Sequence, residues 1–478
     1  MNIIPVINQL ISEIYITAEK FLDHPEEFSQ MEESLIRIHE RSCREVIVKI
    51  LEELDQFINS NPKRKEGYTI QRHDDRTLIT ACGDITFNRT LYRKRSDGSY
   101  HYLLDEKIRL PKDEHFSELA EVKVLQAATE SSYQSAADTL SIGMQKISKV
   151  SVMNKVHGII DDLPEESPTE RKKCKYLYIE ADEDHIHRQV NGEEVTGCII
   201  GKLVYVFEGK EEVCKGRRKL VNPMYFGGQY KGSEENAQLW KEVQRYIRRN
   251  YDSSELKTVY ICSDGGSWIR AATDYIDKAV LVADKFHLMK YINQVSRLML
   301  DECDEVKGKF YKNIYKNRRD KVEKLLRRIR RSSDKDKVID ESEKFLLNNW
   351  DAIQRAFRDK HVLGCSAEGH VSHVFSSRMS TRPMAWSERG ADCMCRLRCL
   401  KESYGKEKIA ELVHIRRERA CAELEATGTD GAPLQLSTAR RTYTKAQLEA
   451  ASYAKRMHAT LGNSLARKEI CIRMHEWL

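Results

Sequence analysis

Apolar positions in the first sixty residues recur three and four apart, as they do along one face of a helix. Ile4, Ile7, Ile11 and Ile14 form one such run, and Leu35 with Ile38, then Ile47, Leu51, Leu54 and Ile58, form another. Pro25 lies between them and removes a helical hydrogen bond, so two helices broken near Pro25 are expected over residues 1–60. From Arg76 to Leu104 the pattern changes to alternation, interrupted at Cys82-Gly83-Asp84 and at Ser96-Asp97-Gly98-Ser99. Asp-Gly between alternating runs is a hairpin signal, which predicts a small antiparallel sheet over residues 61–110. Helical spacing returns over residues 111–165. There Tyr133 to Leu140, a short break holding Gly143, and Ser148 to Ile159 have the lengths and small residues of a helix-turn-helix. Its second helix would offer Lys149, Ser151, Asn154 and Lys155 to a DNA groove. A helical bundle that binds nothing has the same pattern.

Asp161 to Lys175 is charged and holds Pro164 and Pro168, so a domain boundary is expected there. Beyond it, Tyr176 to His185 (YLYIEADEDH) reads as a strand. Leu177, Ile179 and Ala181 face a core, while Tyr176, Tyr178, Glu180, Asp182 and Asp184 share the other face. Like charges crowded in this way repel unless a cation lies among them. A turn at Asn191-Gly192 leads into the apolar run Gly197 to Phe207, and a helix is expected from Glu234 to Asn250. In Thr258 to Trp268 (TVYICSDGGSW), Val259 and Ile261 alternate with Tyr260, Cys262 and Asp264 before Gly265-Gly266 turns the chain. Asp264 therefore stands at the C-terminal edge of a strand, where open α/β sheets build their sites, although SDGGS is also a plain capping turn. A further strand, Ala279 to Ala283, is followed by Asp284 and His287 at the entry to a helix. They are read either as partners that orient a metal ligand or a DNA phosphate, or as a capping Asp with a half-buried His. Cys365 to Arg378 (CSAEGHVSHVFSSR) is expected to place Glu368 on a helix. Residues 170–400 are thus an α/β domain with a mixed sheet, and Asp182, Asp264 and Glu368 are its candidate catalytic and metal-binding triad.

Composition narrows the classes. A chain of 478 residues has room for roughly three domains. No segment approaches the roughly 20 apolar residues of a membrane span, and Met1 to Leu10 lacks the basic start of a secretion signal, so a cytoplasmic protein with no membrane partner is expected. The 13 cysteines show no framework and read as reduced thiols. Cys393, Cys395 and Cys399 are weighed as a zinc cluster against small apolar side chains on a helix, and their spacing favours the latter. A net charge of +6 argues against a purely charge-driven binder. Lys307 to Arg331, however, interleaves basic residues with Phe310, Tyr311 and Tyr315, as either a phosphate-tracking helix or a solvated one does. Residues 401–478 are charged, basic and helical in pattern, with a break at Thr427 to Pro433.

The segments YIEADEDH, SDGG, DKFHLMK and CSAEGHVSHVFSSRMSTRPMAW resemble those of bacterial insertion-sequence transposases of the Lre type, distant relatives of the Mutator-like enzymes. The resemblance runs from about residue 75 to 400. It implies a ribonuclease H-like sheet bearing a DDE triad, with a helical insertion at about residues 288–363 between the second Asp and the Glu. By position, Asp182 is the first acid, Asp264 the second and Glu368 the third, with Glu388 in Trp386-Ser387-Glu388-Arg389 a rival for the last. Carboxylate oxygens suit magnesium or manganese, two ions of which activate a nucleophile and stabilise a leaving oxygen in phosphoryl displacement. The implied activity is strand cleavage and strand transfer on element ends and target DNA, by a homo-oligomer. His287, Arg378 and Arg382 are the expected phosphate contacts, with Asp284 behind them. A non-catalytic DNA-binding descendant and a purely hydrolytic ribonuclease H-like nuclease are the competing readings.

Overall fold

The computed structural model describes residues 4–140, 146–159, 170–190, 193–382 and 384–427. They divide into two compact units. The first takes in residues 4–124, 134–140, 146–149 and 413–427. Its helices Ile4–Asp23 and Phe28–Ser60 are separated by a short 3-10 turn that begins at Pro25, as the missing amide hydrogen predicts. Strands β1 (Tyr68–Thr80), β2 (Gly83–Lys94) and β3 (Tyr100–His101) form an antiparallel sheet in that order. Gly83 opens β2 with φ of 107° rather than standing mid-turn, so the reversal rests on Ala81 and Cys82. Ile58 of the long helix packs with Leu78, Ile85, Phe87 and Tyr92 of the sheet. Of the expected helix-turn-helix, helices Tyr133–Asp138 and Lys149–Ile159 are present, and the break at residues 141–145 lies outside the described residues.

The second unit is a mixed α/β structure. Its strands are β4 (Tyr176–Val190), β5 (Glu193–Phe207), the two-stranded arm β6 (Gly209–Cys214) and β7 (Arg217–Val221), then β8 (Met224–Gln229), β9 (Thr258–Ser263) and β10 (Ala279–Ala283). Five of them form one sheet in the order β10-β9-β4-β5-β8. β5 is antiparallel to β4 and β8, whereas β9 is parallel to β4 and β10 to β9. The Asn191-Gly192 turn and most of the charged linker lie outside the described residues. Leu177, Ile179 and Ala181 do face a core, shared with Val204, Val259 and Ile261 and covered by Leu239, Trp240, Val243 and Ile247 of helix Gly232–Asn250. Residues 285–358 form helices with a core of their own, in which Leu288, Phe310, Leu326, Phe345 and Trp350 meet. Among the described residues no helix is long and apolar enough to cross a membrane.

Helix Glu388–Tyr404 lies so close over β8 that side chains are excluded there. A Cβ on Gly227 would meet the Lys202 carbonyl oxygen at 2.7 Å, Phe375 Cζ at 2.8 Å and Cys399 Sγ at 2.9 Å. Cys393, Cys395 and Cys399 are buried on this helix as small apolar groups. Gly227→Ala is expected to destabilise the second unit by about 1–3 kcal/mol in urea unfolding, because neither the backbone oxygen nor the packed thiol has room to move.

Candidate functional site

Parallel pairing of β4 with β9 sets Glu180 opposite Cys262, and pairing of β9 with β10 sets Ser263 opposite Ala283. Carried to the strand ends, this register brings Asp182, Asp264 and Asp284 onto neighbouring strands about 4.8 Å apart. Local sequence fixes each one. The Asp182 carboxylate accepts the Glu183 amide at 2.8 Å. Asp264 accepts the Gly266 amide at 2.8 Å, and Ser263 Oγ accepts that of Gly265 at 2.9 Å, closing the turn. Gly265 has φ of 96°, which glycine adopts without strain. Asp284 caps helix Lys285–Ser296 through the Phe286 amide at 3.0 Å and also binds His287 Nδ1 at 2.9 Å. One carboxylate thus makes both contacts, Oδ1 capping the helix and Oδ2 meeting His287.

The surroundings of Asp182 disfavour its charged form. Burial pushes its pKa up to about 6, the Glu183 amide pulls against that, the Asp264 charge adds to it and His287 opposes it. His287 moves up from its ordinary value, first because of its hydrogen bond to Asp284 and then through the charges of Asp284, Asp264 and Asp182. Among the described residues neither Asp182 nor Asp264 forms a salt bridge to a lysine or arginine. Two close, partly desolvated carboxylates with no fixed counter-ion fit a hard divalent cation.

Glu180 and Asp184 do not belong to this crowd. Glu180 is 2% exposed and accepts from Lys210 Nζ at 2.8 Å, from the Ser366 amide at 2.7 Å, from Ser366 Oγ at 2.9 Å and from the Tyr205 hydroxyl. Asp184 accepts from Ser380 Oγ at 3.0 Å. The sequence shows their shared face but not these partners, which come from distant segments. Glu368 sits exposed in the first turn of helix Ala367–Val371, two residues beyond the serine that Glu180 holds. Its rival Glu388 is paired with Lys231 at 2.7 Å and Arg188 at 3.3 Å, and the Lys231 hydrogen bond leads in holding its carboxyl below the usual range.

The expectation for Arg378 is corrected. Its guanidinium is buried, donates to the Ala128 carbonyl oxygen at 2.9 Å and stacks over Trp386 at 4.9 Å, so it supports the fold and is not offered to phosphates. Arg382 is exposed. On helix Lys149–Ile159, Lys149 and Asn154 are exposed while Ser151 and Lys155 are partly buried. In the basic stretch Phe310 is a core residue, Tyr315 is 71% exposed, and Arg319, Arg328 and Arg330 are paired with acids. Part of that stretch is therefore a paired helical face.

Residues 22–414 match the profile of the Uncharacterised protein family (UPF0236). Similar proteins occur in Caldanaerobacter subterraneus subsp. tengcongensis. One, a UPF0236 protein whose name joins eleven labels from TTE0033 to TTE2212, is 34% identical over 371 residues, 77% of this chain and 76% of the relative. UPF0236 protein TTE2489 is 33% identical over 371 residues, 77% of each chain. UPF0236 protein TTE0402 is 33% identical over 371 residues, 77% of this chain and 72% of its own.

The raised Asp182 pKa has a thermodynamic consequence. Its contribution to stability is fully present below the unfolded value near 3.9 and is lost as pH rises through about 6. Asp182→Asn is therefore expected to raise the melting temperature of the metal-free protein at pH 8 by roughly 2–4 °C and to leave it nearly unchanged at pH 4. Were magnesium or manganese held at Asp182, the same substitution should remove any stabilisation the ion gives. Calorimetric scans at both pH values, with and without metal, check all three outcomes.

Proposed function

The chain belongs to the uncharacterised protein family UPF0236, and on that premise we propose that it is a DDE-class DNA transposase that cleaves and transfers strands of an insertion sequence. The observation that carries this reading is the row formed by Asp182 on the central strand β4 with Asp264 and Asp284 just past the C-terminal ends of β9 and β10, with His287 hydrogen-bonded to the last. The ribonuclease H-like assignment is supported by a sheet in which three antiparallel strands are extended beyond β4 by two parallel ones. The helical core of residues 285–358 supports an insertion between the second and third acids. The relative's eleven labels, read as loci, support a gene that spreads by copying or moving itself.

Asp182 and Asp264 would hold magnesium or manganese, which when bound supplies Lewis-acid activation and neutralises charge on a phosphodiester. His287, kept cationic more readily by Asp284, stands beside them to meet a phosphate oxygen. The Glu180 contacts hold the segment ahead of Glu368 to the strand that carries Asp182, so DNA docking has only a short helix to adjust. In-line attack by water on a phosphodiester breaks its P–O3' bond and frees a 3'-hydroxyl and a 5'-phosphate; attack by that 3'-hydroxyl on a target phosphodiester forms a new ester and releases a target 3'-hydroxyl, joining that end to target DNA. Two element ends and one target call for more than one copy of the chain. The exposure of Glu368 is the observation that favours the non-catalytic alternative.

The test is a plasmid carrying the gene's own flanking DNA, incubated with purified protein and magnesium, manganese or EDTA. Metal-dependent breaks at the element ends are expected, together with joined products. Asp182→Ala should lower both by more than roughly a hundredfold while DNA retention in a gel shift persists. Nicks without joined molecules would identify a nuclease instead. Binding without any break, under every metal condition, would identify the non-catalytic descendant.

A further inference from the structure

One step back from the carboxylate edge, on the same face of the sheet, two thiols and a carboxylate converge. One ligand atom each from Cys262, Asp284 and Cys365 lies within 4.8 Å of the other two. They come from separate parts of the fold: Cys262 from β9, Asp284 from the end of β10, and Cys365 from the segment ahead of helix Ala367–Val371. Both cysteines are free thiols, Cys262 buried and Cys365 partly so. Asp284 already accepts from Phe286 and His287, but a carboxylate has about four acceptor positions, so capacity remains.

The donor set differs in kind from the pair Asp182 and Asp264. Thiolates select borderline or soft divalent ions over magnesium, and two of them with one carboxylate make a three-protein-ligand tetrahedral set with one position left for water. Ligands about 2.3 Å from a common ion at tetrahedral angles lie roughly 3.8 Å apart, which the observed spacing reaches with small side-chain movement.

We propose that Cys262, Cys365 and Asp284 form a site for a zinc-class divalent cation, separate from the hard-metal site and bracing the segment ahead of Glu368 against β9 and β10. The assignment stands on these three side chains and does not depend on the transposase reading. An ion there would tie three segments more than twenty residues apart in sequence at the point where the sheet edge begins.

The full-length reduced protein, freed of metal with EDTA, is titrated with cobalt chloride and then with zinc chloride against a chromophoric chelator. One equivalent per chain is expected to carry thiolate-to-cobalt charge-transfer absorption that zinc removes, an ion at Asp182 and Asp264 adding none. Cys365→Ser, at a half-buried position, should weaken zinc binding by at least roughly tenfold and lose about half of that absorption. Asp284→Asn should weaken binding while keeping the absorption. Cys198→Ser, at an exposed cysteine, should leave both unchanged, and Asp182→Ala should leave the absorption unchanged. Circular dichroism verifies that each variant is folded. Should a ligand variant unfold, the charge-transfer intensity of the parent protein still counts its thiolates, and two are required. Absence of that absorption in the parent, or zinc binding unaltered in folded Cys365→Ser, overturns the assignment.

Discussion

Glu180 is the residue on which the arrangement of the second unit turns. It lies on the central strand, almost wholly buried, and its carboxylate gathers Lys210 from the β6–β7 arm, Tyr205 from β5, and the amide and hydroxyl of Ser366. A buried carboxylate is tolerated only when its charge and lone pairs are met, and removing one partner of such a pair costs about 3–5 kcal/mol. Lys210 is bound in turn to Ser366 Oγ at 2.9 Å and to the Gly364 carbonyl oxygen. The network therefore holds residues 364–366 to β4 at one fixed height. Everything proposed for Glu368 and Cys365 inherits its position from that contact.

Two residues along the same strand the logic reverses. Asp182 is also partly buried, but no lysine or arginine meets it, and the Asp264 carboxylate just past the end of β9 is near enough to raise its pKa. Glu180, by contrast, is met by Lys210, and Asp184 accepts from the Ser380 hydroxyl. His287 offsets part of the cost at Asp182 from the adjoining helix. Unmet charge beside met charge on a single strand is what distinguishes a site from a structural ion pair, and it is the pattern expected where stability is given up for binding.

Much of the scaffold was legible because side-chain period and turn chemistry are local. The alternation of Leu177, Ile179 and Ala181 located the core face of β4, SDGG located a strand end, and Pro25 located a helix break. What failed was non-local. Glu180 looked like one more member of an acidic cluster because Lys210 and Ser366 are far away in sequence. Arg378 looked available to phosphate because nothing near it announces the Trp386 and Tyr133 rings that enclose it. Cys262 and Cys365 drew no notice for the same reason, while the closely spaced Cys393, Cys395 and Cys399 drew it and proved to be packing. Spacing along the chain reports ligands on one element; ligands from three elements are visible only once the sheet order is known.

The helices of residues 285–358 are more than an appendage to the sheet. Ala283 at the end of β10 and Leu288 beside His287 lie in the same core as Phe345 and Trp350. A Cβ on Gly265, in the turn that presents Asp264, would meet Phe345 and Asn349 at 3.1 Å. Arg355 donates to the Leu281 carbonyl oxygen of β10. Both sides of the Asp264 turn are therefore braced by the inserted helices, and His287 rides on the first of them. Under the proposed function, a force applied to those helices by DNA or by a second copy of the chain would reach the carboxylate row through packed side chains rather than through a flexible link. Chemistry at Asp182 and Asp264 would then be sensitive to whatever those helices touch.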